Sequence, residues 1–176
     1  HPTQAAPTVL TFPGCGLTLQ DCLDAASPGD TVDVAVAATY YESLLLTKPV
    51  SLTASKSGVI IRAPQPNSRV LLVSGAAISQ SVIISGVTLL GGSLPNGSGG
   101  GVYVDNDAQI QFVNIVITSN VAATGGGMFV NSGSATLLGN SRIDSNSAQN
   151  GGGVYVANDG VFTQTGGTLT ANRADD

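Results

Sequence analysis

The chain has 176 residues, a formal net charge of −5 and a pI near 4.4. This length predicts one domain, 1–176, with a sizeable core, and the six scattered basic residues argue against nucleic-acid binding. No apolar run approaches the roughly 18 residues of a membrane span. Only 10% of the residues are charged, so the surface must use Ser, Thr, Asn and Gly, a palette that favours strands and tight turns.

The first predicted element is an apolar, β-prone segment near the start of the chain. Its strand residues are Pro7, Thr8, Val9, Leu10, Thr11 and Phe12. His1, the single histidine, precedes this segment, and its terminal position argues against a catalytic role. Because the sequence does not begin with Met, we expect a secreted protein that has lost its signal peptide, with simple trimming as the alternative.

A short helix is predicted next, within 18–30. Thr18 is a good N-cap, Asp21 follows at the third helical position, and the turn 27–30 ends the helix. One apolar stripe runs along it, formed by Leu19, Cys22, Leu23 and Ala26. We expect the helix to plug the end of the structure that follows it.

Cys15 and Cys22 are the only cysteines and lie seven residues apart. In an oxidising compartment this pair favours a local disulfide, with free thiols as the alternative. No further Cys or His accompanies them in a ligand pattern, so neither a metal site nor a cofactor is predicted.

The segment 31–98 contains strand-like runs at uneven spacing. Apolar runs begin at Val50, Val59 and Val70, and polar loops separate them. The run 82–92 aligns with 110–120 of the regular repeat that follows. We therefore expect irregular coils over 31–98 that lead into regular ones.

Three units of 26 residues complete the chain. They are Gly99–Thr124, Gly125–Asn150 and Gly151–Asp176, and they align without a gap. Each opens on a glycine triplet, and three further positions recur in every unit: Val104, Val130 and Val156; Ile117, Ile143 and Leu169; Asn120, Asn146 and Asn172. An internal period of this length indicates a solenoid.

Each unit offers three short β-rich runs and no helical periodicity, which predicts an all-β, right-handed parallel β-helix of about six coils. Residues 1–30 form its N-terminal segment and capping helix, 31–98 its irregular coils and 99–176 its regular coils. Equivalent residues one coil apart should stack, so the three Asn form a hydrogen-bonded ladder. The glycine triplet supplies a corner with positive φ and close coil approach.

Alternation within the strands assigns the two faces. Arg142 and Asp144 flank Ile143, so Ile143 points inward, and by register Ile117 and Leu169 do too. In the first strand of each unit, inward valines would place an aromatic ladder outside as a candidate binding surface. The reverse assignment would bury the same rings, which are Tyr103, Phe129 and Tyr155.

The register places the next glycine at position 177, so the last coil has no predicted cover. Its candidate open-end residues are Val154, Val156, Phe162, Leu169 and Asn172. Either the chain is cut at a repeat boundary or another molecule covers this coil. The strand 7–12 could add to the last coil of another copy, giving a head-to-tail filament, or pack along its own first coil.

Two stretches resemble known families. Leu19–Ser55, which contains the run Gly29-Asp30-Thr31-Val32, is similar to the opening of secreted pectate-lyase-like β-helix proteins. The glycine-triplet units resemble the repeats of chlamydial polymorphic outer membrane proteins, with Gly in place of Ala and Ile or Leu in place of Phe. Both resemblances imply a β-helix, a fold that hosts lyases, hydrolases and adhesins alike.

No catalytic constellation is predicted. Asp105 and Asp107 match Asn131 and Gly133 one unit later, so no carboxylate ladder forms. We expect a non-catalytic structural or adhesive protein, secreted or on the cell surface. It would associate end to end with itself or contact surface or matrix polysaccharide. The alternative is a carbohydrate-binding or polysaccharide-processing fragment.

Overall fold

The computed structural model describes residues 6–79 and 81–175, and over this range the protein is a parallel β-solenoid with one short helix. The expected fold is therefore confirmed, while His1 lies outside the described residues. The helix, α1, spans Leu19–Ala25. The earlier strands are β1 Val9–Phe12, β2 Thr31–Val34, β3 Thr39–Tyr41, β4 Leu44–Leu46, β5 Ser51–Ala54, β6 Val59–Arg62, β7 Leu71–Ser74, β8 Ile83–Ser85, β9 Val87–Leu90 and β10 Ser93–Ser98. The later strands are β11 Val102–Asp105, β12 Gln109–Val113, β13 Val116–Thr118, β14 Val121–Thr124, β15 Met128–Asn131, β16 Ser134–Leu138, β17 Arg142–Asp144, β18 Ser147–Asn150, β19 Val154–Ala157, β20 Val161–Gln164, β21 Thr168–Thr170 and β22 Arg173–Ala174.

The strands stack into four parallel sheets that surround a common core. Sheet I has the order β1-β2-β5-β8-β12-β16-β20, and sheet II the order β3-β6-β9-β13-β17-β21. Sheet III has the order β4-β7-β11-β15-β19, and sheet IV the order β10-β14-β18-β22. Each strand pairs with its counterpart one coil away, which gives about six coils.

Sheet IV is a fourth strand position that the sequence pattern did not predict. Its strands β14 and β18 read VAAT and SAQN, which lack the large β-branched and aromatic runs of the other three positions. They are extended because the neighbouring coils supply a backbone partner for each of them. Stacking, and not local propensity, therefore determines these strands.

The gapless alignment of the three units fails at one strand position. Gln109 pairs with Ser134, 25 residues on, and Ser134 pairs with Val161, 27 residues on. The turn before β16 is one residue shorter than its neighbours, and the turn after β16 restores the 26-residue offset at Val116 and Arg142. The two turns can exchange a residue because strand register, and not turn length, places side chains in the core.

The core is a column of apolar side chains stacked coil on coil. Val104 and Val130 are paired neighbours in sheet III, Ile117 and Ile143 are paired neighbours in sheet II, and all four are fully buried. Like residues stack because equivalent positions of parallel strands face the same interior. This assignment confirms the inward direction predicted for Ile117 and Ile143.

Helix α1 closes the N-terminal end of the core. Thr18 and Asp21 form the predicted capping box, and Leu19, Cys22 and Leu23 are buried. The Gln20 side chain accepts from the Leu45 backbone N–H at 2.8 Å and donates to the Leu45 carbonyl at 3.1 Å. Gln20 thus takes the hydrogen-bonding place of a further strand on β4.

The loop before α1 is tied to the plug by the predicted disulfide. Cys15 and Cys22 are bonded, and Cys22 is fully buried. The Glu42 carboxylate accepts from the backbone N–H groups of Leu19 and Gln20, at 2.9 and 3.0 Å. These groups are orphan donors of the first helical turn, so Glu42 both caps α1 and fixes it to the first coil.

The segment 7–12 packs on its own first coil. β1 pairs in parallel with β2, with Val9 opposite Thr31 and Phe12 opposite Val34. Of the two alternatives for this segment, the structure therefore has the one within the molecule, and the segment is not detached for addition to another copy. Because β1 is the first strand of sheet I, its outer edge pairs with no strand in the described part of the chain.

Asp30 fastens β1 to the end of the plug. One carboxylate oxygen accepts from the Thr8 backbone N–H at 2.7 Å and from its hydroxyl at 3.0 Å, and the other accepts from the Ser27 N–H at 2.8 Å. These hydrogen bonds, those from the backbone N–H groups of Thr8 and Ser27 foremost, hold the pKa of Asp30 below its ordinary value. Such bonds favour the charged form of a carboxyl group.

Asp30→Asn should lower the denaturant midpoint at pH 7. Because the pKa of Asp30 is depressed on folding, its contribution is present above its unfolded pKa of about 3.9 and is lost as the pH falls below that value. The difference between variant and wild type should therefore shrink towards pH 2. Denaturant titrations at both pH values measure it, with exposed Asp159→Asn as the matched control. An equal difference at both values would contradict the prediction.

Candidate functional site

Each glycine of the triplet has its own structural reason. In the middle unit, Gly125 has a φ of +62°, in the left-handed region. A Cβ on Gly126 would lie 2.3 Å from the Ser147 carbonyl oxygen, and one on Gly127 would lie 2.5 Å from the Gly153 oxygen. The triplet therefore forms a corner where neighbouring coils meet at closest approach.

The asparagine ladder runs directly beside this corner. The Asn120 side-chain amide donates to the Asn146 side-chain oxygen at 3.0 Å, and Asn146 donates in the same way to Asn172 at 2.9 Å. The same oxygens accept the backbone N–H groups of Asn120 and Asn146, at 3.0 and 3.1 Å. A Cβ on Gly127 would lie 2.8 Å from the Asn146 amide nitrogen, so the third glycine makes room for the ladder.

The coil formed by β19 to β22 has a neighbouring coil on one side only. Val156 is 42% exposed where its counterpart Val130 is fully buried, and Leu169 is 38% exposed where Ile143 is fully buried. The other predicted residues of this coil, Val154, Phe162 and Asn172, are half-buried. All five predicted residues thus lie on one uncovered surface, which we call the end face.

The end face also carries a polar residue at a core position. Gln164 pairs with Leu137, which is fully buried and pairs with the fully buried Phe112. Gln164 is exposed, and its amide donates to the Gly167 carbonyl at 3.0 Å. An apolar rim with a polar group inside it is typical of a contact surface that also exists in water.

The predicted aromatic ladder lies on the outer surface of sheet III. Tyr103 and Phe129 stack with ring centroids 5.0 Å apart, and Phe129 and Tyr155 stack with centroids 5.6 Å apart. Phe129 is only 8% exposed because its neighbours cover it, although it does not belong to the central core cluster. Ring faces that cover each other cannot stack on a ligand, so Tyr155 alone presents an uncovered face.

The same outer row continues beyond the aromatic residues. Tyr103 pairs with Leu72, which pairs with Leu45 in β4. Leu45 is 44% exposed and Leu72 is half-buried. The sequence pattern missed these two because Leu44, Leu45 and Leu46 form a continuous apolar run with no alternation to mark its outer member.

The carboxylates in the regular turns have structural partners. Asp105 accepts from the Asn106 backbone N–H and from the Asn131 side-chain amide, each at 2.8 Å. Within residues 6–79 and 81–175, no three His, Cys, Asp or Glu side chains converge in a way that could hold a metal ion. In the same residues, no helix has the length and hydropathy needed to span a bilayer.

Comparison with known proteins adds no relative. No family model, curated protein or solved structure matches this chain. The two family resemblances drawn from sequence motifs therefore stay expectations, and the site is described from its own geometry.

Asn146→Ala should lower the free energy of unfolding by about 3 kcal/mol. It removes the acceptor of two buried Asn120 donors, and an unsatisfied buried group costs about 1–3 kcal/mol. Exposed Asn150→Ala, four residues on, should change it by less than about 0.5 kcal/mol. Urea titration of both variants measures this, and equal effects would contradict a structural role for the ladder.

Proposed function

We propose that this protein is a non-catalytic structural or adhesive β-helix that works outside the cell and associates with a second copy through its end face. The observation that carries the proposal is the concentration of exposed apolar side chains at this face. Val156, Leu169, Val161 and Tyr155 are between 38 and 51% exposed there, beside the unpaired edges of β19, β20, β21 and β22. Paired edges and covered side chains would stabilise such a surface.

The N-terminal plug decides how two copies would meet. In a head-to-tail arrangement the end face would contact α1, whose outer surface carries the exposed carboxylates Asp21 and Asp24. Burying these charges against Val156 and Leu169 without partners is unfavourable. Contact between two end faces instead places apolar surface on apolar surface, with the strand edges running antiparallel across a two-fold axis.

A location outside the cell is supported by two features. The Cys15–Cys22 disulfide persists in oxidising compartments. The surface also contains few charges and many Ser, Thr and Asn, and the ladders of hydrogen bonds and stacked rings make the coils a stiff spacer. These properties suit a protein that holds a fixed shape at a surface or in a matrix.

A polysaccharide contact is the second candidate, favoured by a cleft on the outer side of sheet II. Tyr41, which is 62% exposed, lies opposite Arg62 in register. Together with Gln65 and Ser93 they line a cleft of about 480 Å³. An exposed aromatic ring beside hydrogen-bond donors is a suitable contact for a sugar ring.

Leu169→Asp should abolish the association. We expect wild-type protein at micromolar concentration to scatter light as a particle of twice the 17.5 kDa chain mass, and the variant as a single chain, because the aspartate would place a charge in the contact. Val121→Asp is the matched control, since Val121 is 43% exposed on sheet IV away from the end face, and it should leave the mass unchanged.

Electron microscopy of the same samples separates the arrangements. Discrete particles about two chains long support contact between end faces. Filaments would contradict it and favour head-to-tail growth, and a wild-type monomer would contradict self-association altogether.

A further inference from the structure

A second concave surface lies at the opposite end of the outer row on sheet III. It is a groove of about 390 Å³ over β4 and β7, walled on one side by the loop that joins β6 to β7. Three leucines form its apolar lining: Leu45, Leu72 and Leu94. Polar groups of Ser43, Asn67 and Ser68 form its rim, and Arg69 completes it.

Arg69 is held in a fixed orientation within this groove. Its guanidinium carbon lies 4.7 Å from the centre of the Tyr103 ring, a cation–π contact. One terminal nitrogen donates to the Ser98 carbonyl at 3.1 Å, and the Arg69 carbonyl accepts from the Ser43 hydroxyl at 2.7 Å. A guanidinium has five N–H donors, so most of its hydrogen-bonding capacity is left for another partner.

No carboxylate neutralises this charge. The chain has eleven Asp and Glu residues, and the two later arginines each pair with an aspartate two residues on. Arg142 lies 3.5 Å from Asp144, and Arg173 lies 2.5 Å from Asp175. Among the described residues, half-buried Arg69 has no such partner. Burial lowers the pKa of Arg69, with the neighbouring Tyr103 acting in the opposite direction.

We propose that this groove binds a small organic anion whose apolar body lies on Leu45, Leu72 and Leu94 and whose carboxylate, sulfate or sulfonate group pairs with Arg69. A half-buried cation without a counter-charge is stabilised by an anion, and a planar guanidinium suits an oxyanion with two oxygens. The leucines and the charge lie side by side, so one amphipathic ligand contacts both. The site is separate from the end face and does not depend on self-association.

Two matched probes test the site. 1-Anilinonaphthalene-8-sulfonate has the required apolar body and anionic group, and N-phenyl-1-naphthylamine is the same molecule without the sulfonate. Arg69→Gln should weaken binding of the sulfonate probe about tenfold, the size of one charge-assisted hydrogen bond, and leave the neutral probe unchanged. Fluorescence titration measures both affinities.

Arg142→Gln is the control variant, because it removes an exposed, paired arginine. It should change neither affinity, and far-ultraviolet circular dichroism should show that both variants keep the β-helix. The Arg69 Nε–Hε resonance should also shift when the sulfonate probe is added to the wild-type chain. An unchanged affinity in Arg69→Gln, an equal loss for both probes, or an unshifted Arg69 resonance would overturn the proposal.

Discussion

The contact between the asparagine ladder and the third glycine of each triplet is the constraint on which the regular coils depend. Asn146 fits beside Gly127 only because that position has no side chain, and the Gly127 position itself meets the Gly153 carbonyl of the next coil. Glycine permits the close approach, and asparagine satisfies the backbone donors that the turn leaves inside the protein. Neither residue would be stable there without the other, so they recur together.

The two ends of the solenoid solve the problem of unpaired edges differently. At the N-terminal end, side chains replace the missing coil: Gln20 imitates a peptide group on β4, and Glu42 caps the helix that covers the core. The disulfide holds that arrangement together. At the end face, strand edges and apolar side chains meet solvent directly, with Gln164 as a polar substitute at one core position. The molecule is therefore directional, and its two ends present different chemistry.

Much of the fold could be predicted from the sequence because a parallel solenoid repeats its constraints. The glycine triplet, the inward Ile117 and Ile143 and the asparagine ladder were all visible as a fixed period, and the capping box of α1 was visible as a local motif. Sheet IV was not predicted, because its strands have no propensity of their own and are extended by their neighbours. The one-residue exchange around β16 was also hidden, since the two changes cancel within one unit.

The surfaces were harder to predict than the fold for a similar reason. The aromatic residues stood out by type, yet their mutual stacking, which removes most of their faces from solvent, depends on a register that only the structure supplies. The Arg69 groove was invisible, since it joins residues from β4, β7 and β10 in the irregular coils, where no period relates them. Periodic sequence therefore predicts the scaffold, and departures from the period mark the places where a specific contact can form.

The direction of the hydrogen bonds has a mechanical consequence. In every sheet the backbone bonds run from coil to coil, along the axis of the solenoid. A force that pulls the two ends apart would load one ring of bonds at a time, so the chain would peel coil by coil at low force and lengthen greatly. A force across the axis would meet all the coils together. The rod is thus stiff against bending yet extensible when pulled, and peeling would begin at the coil that has a single neighbour and lacks a plug.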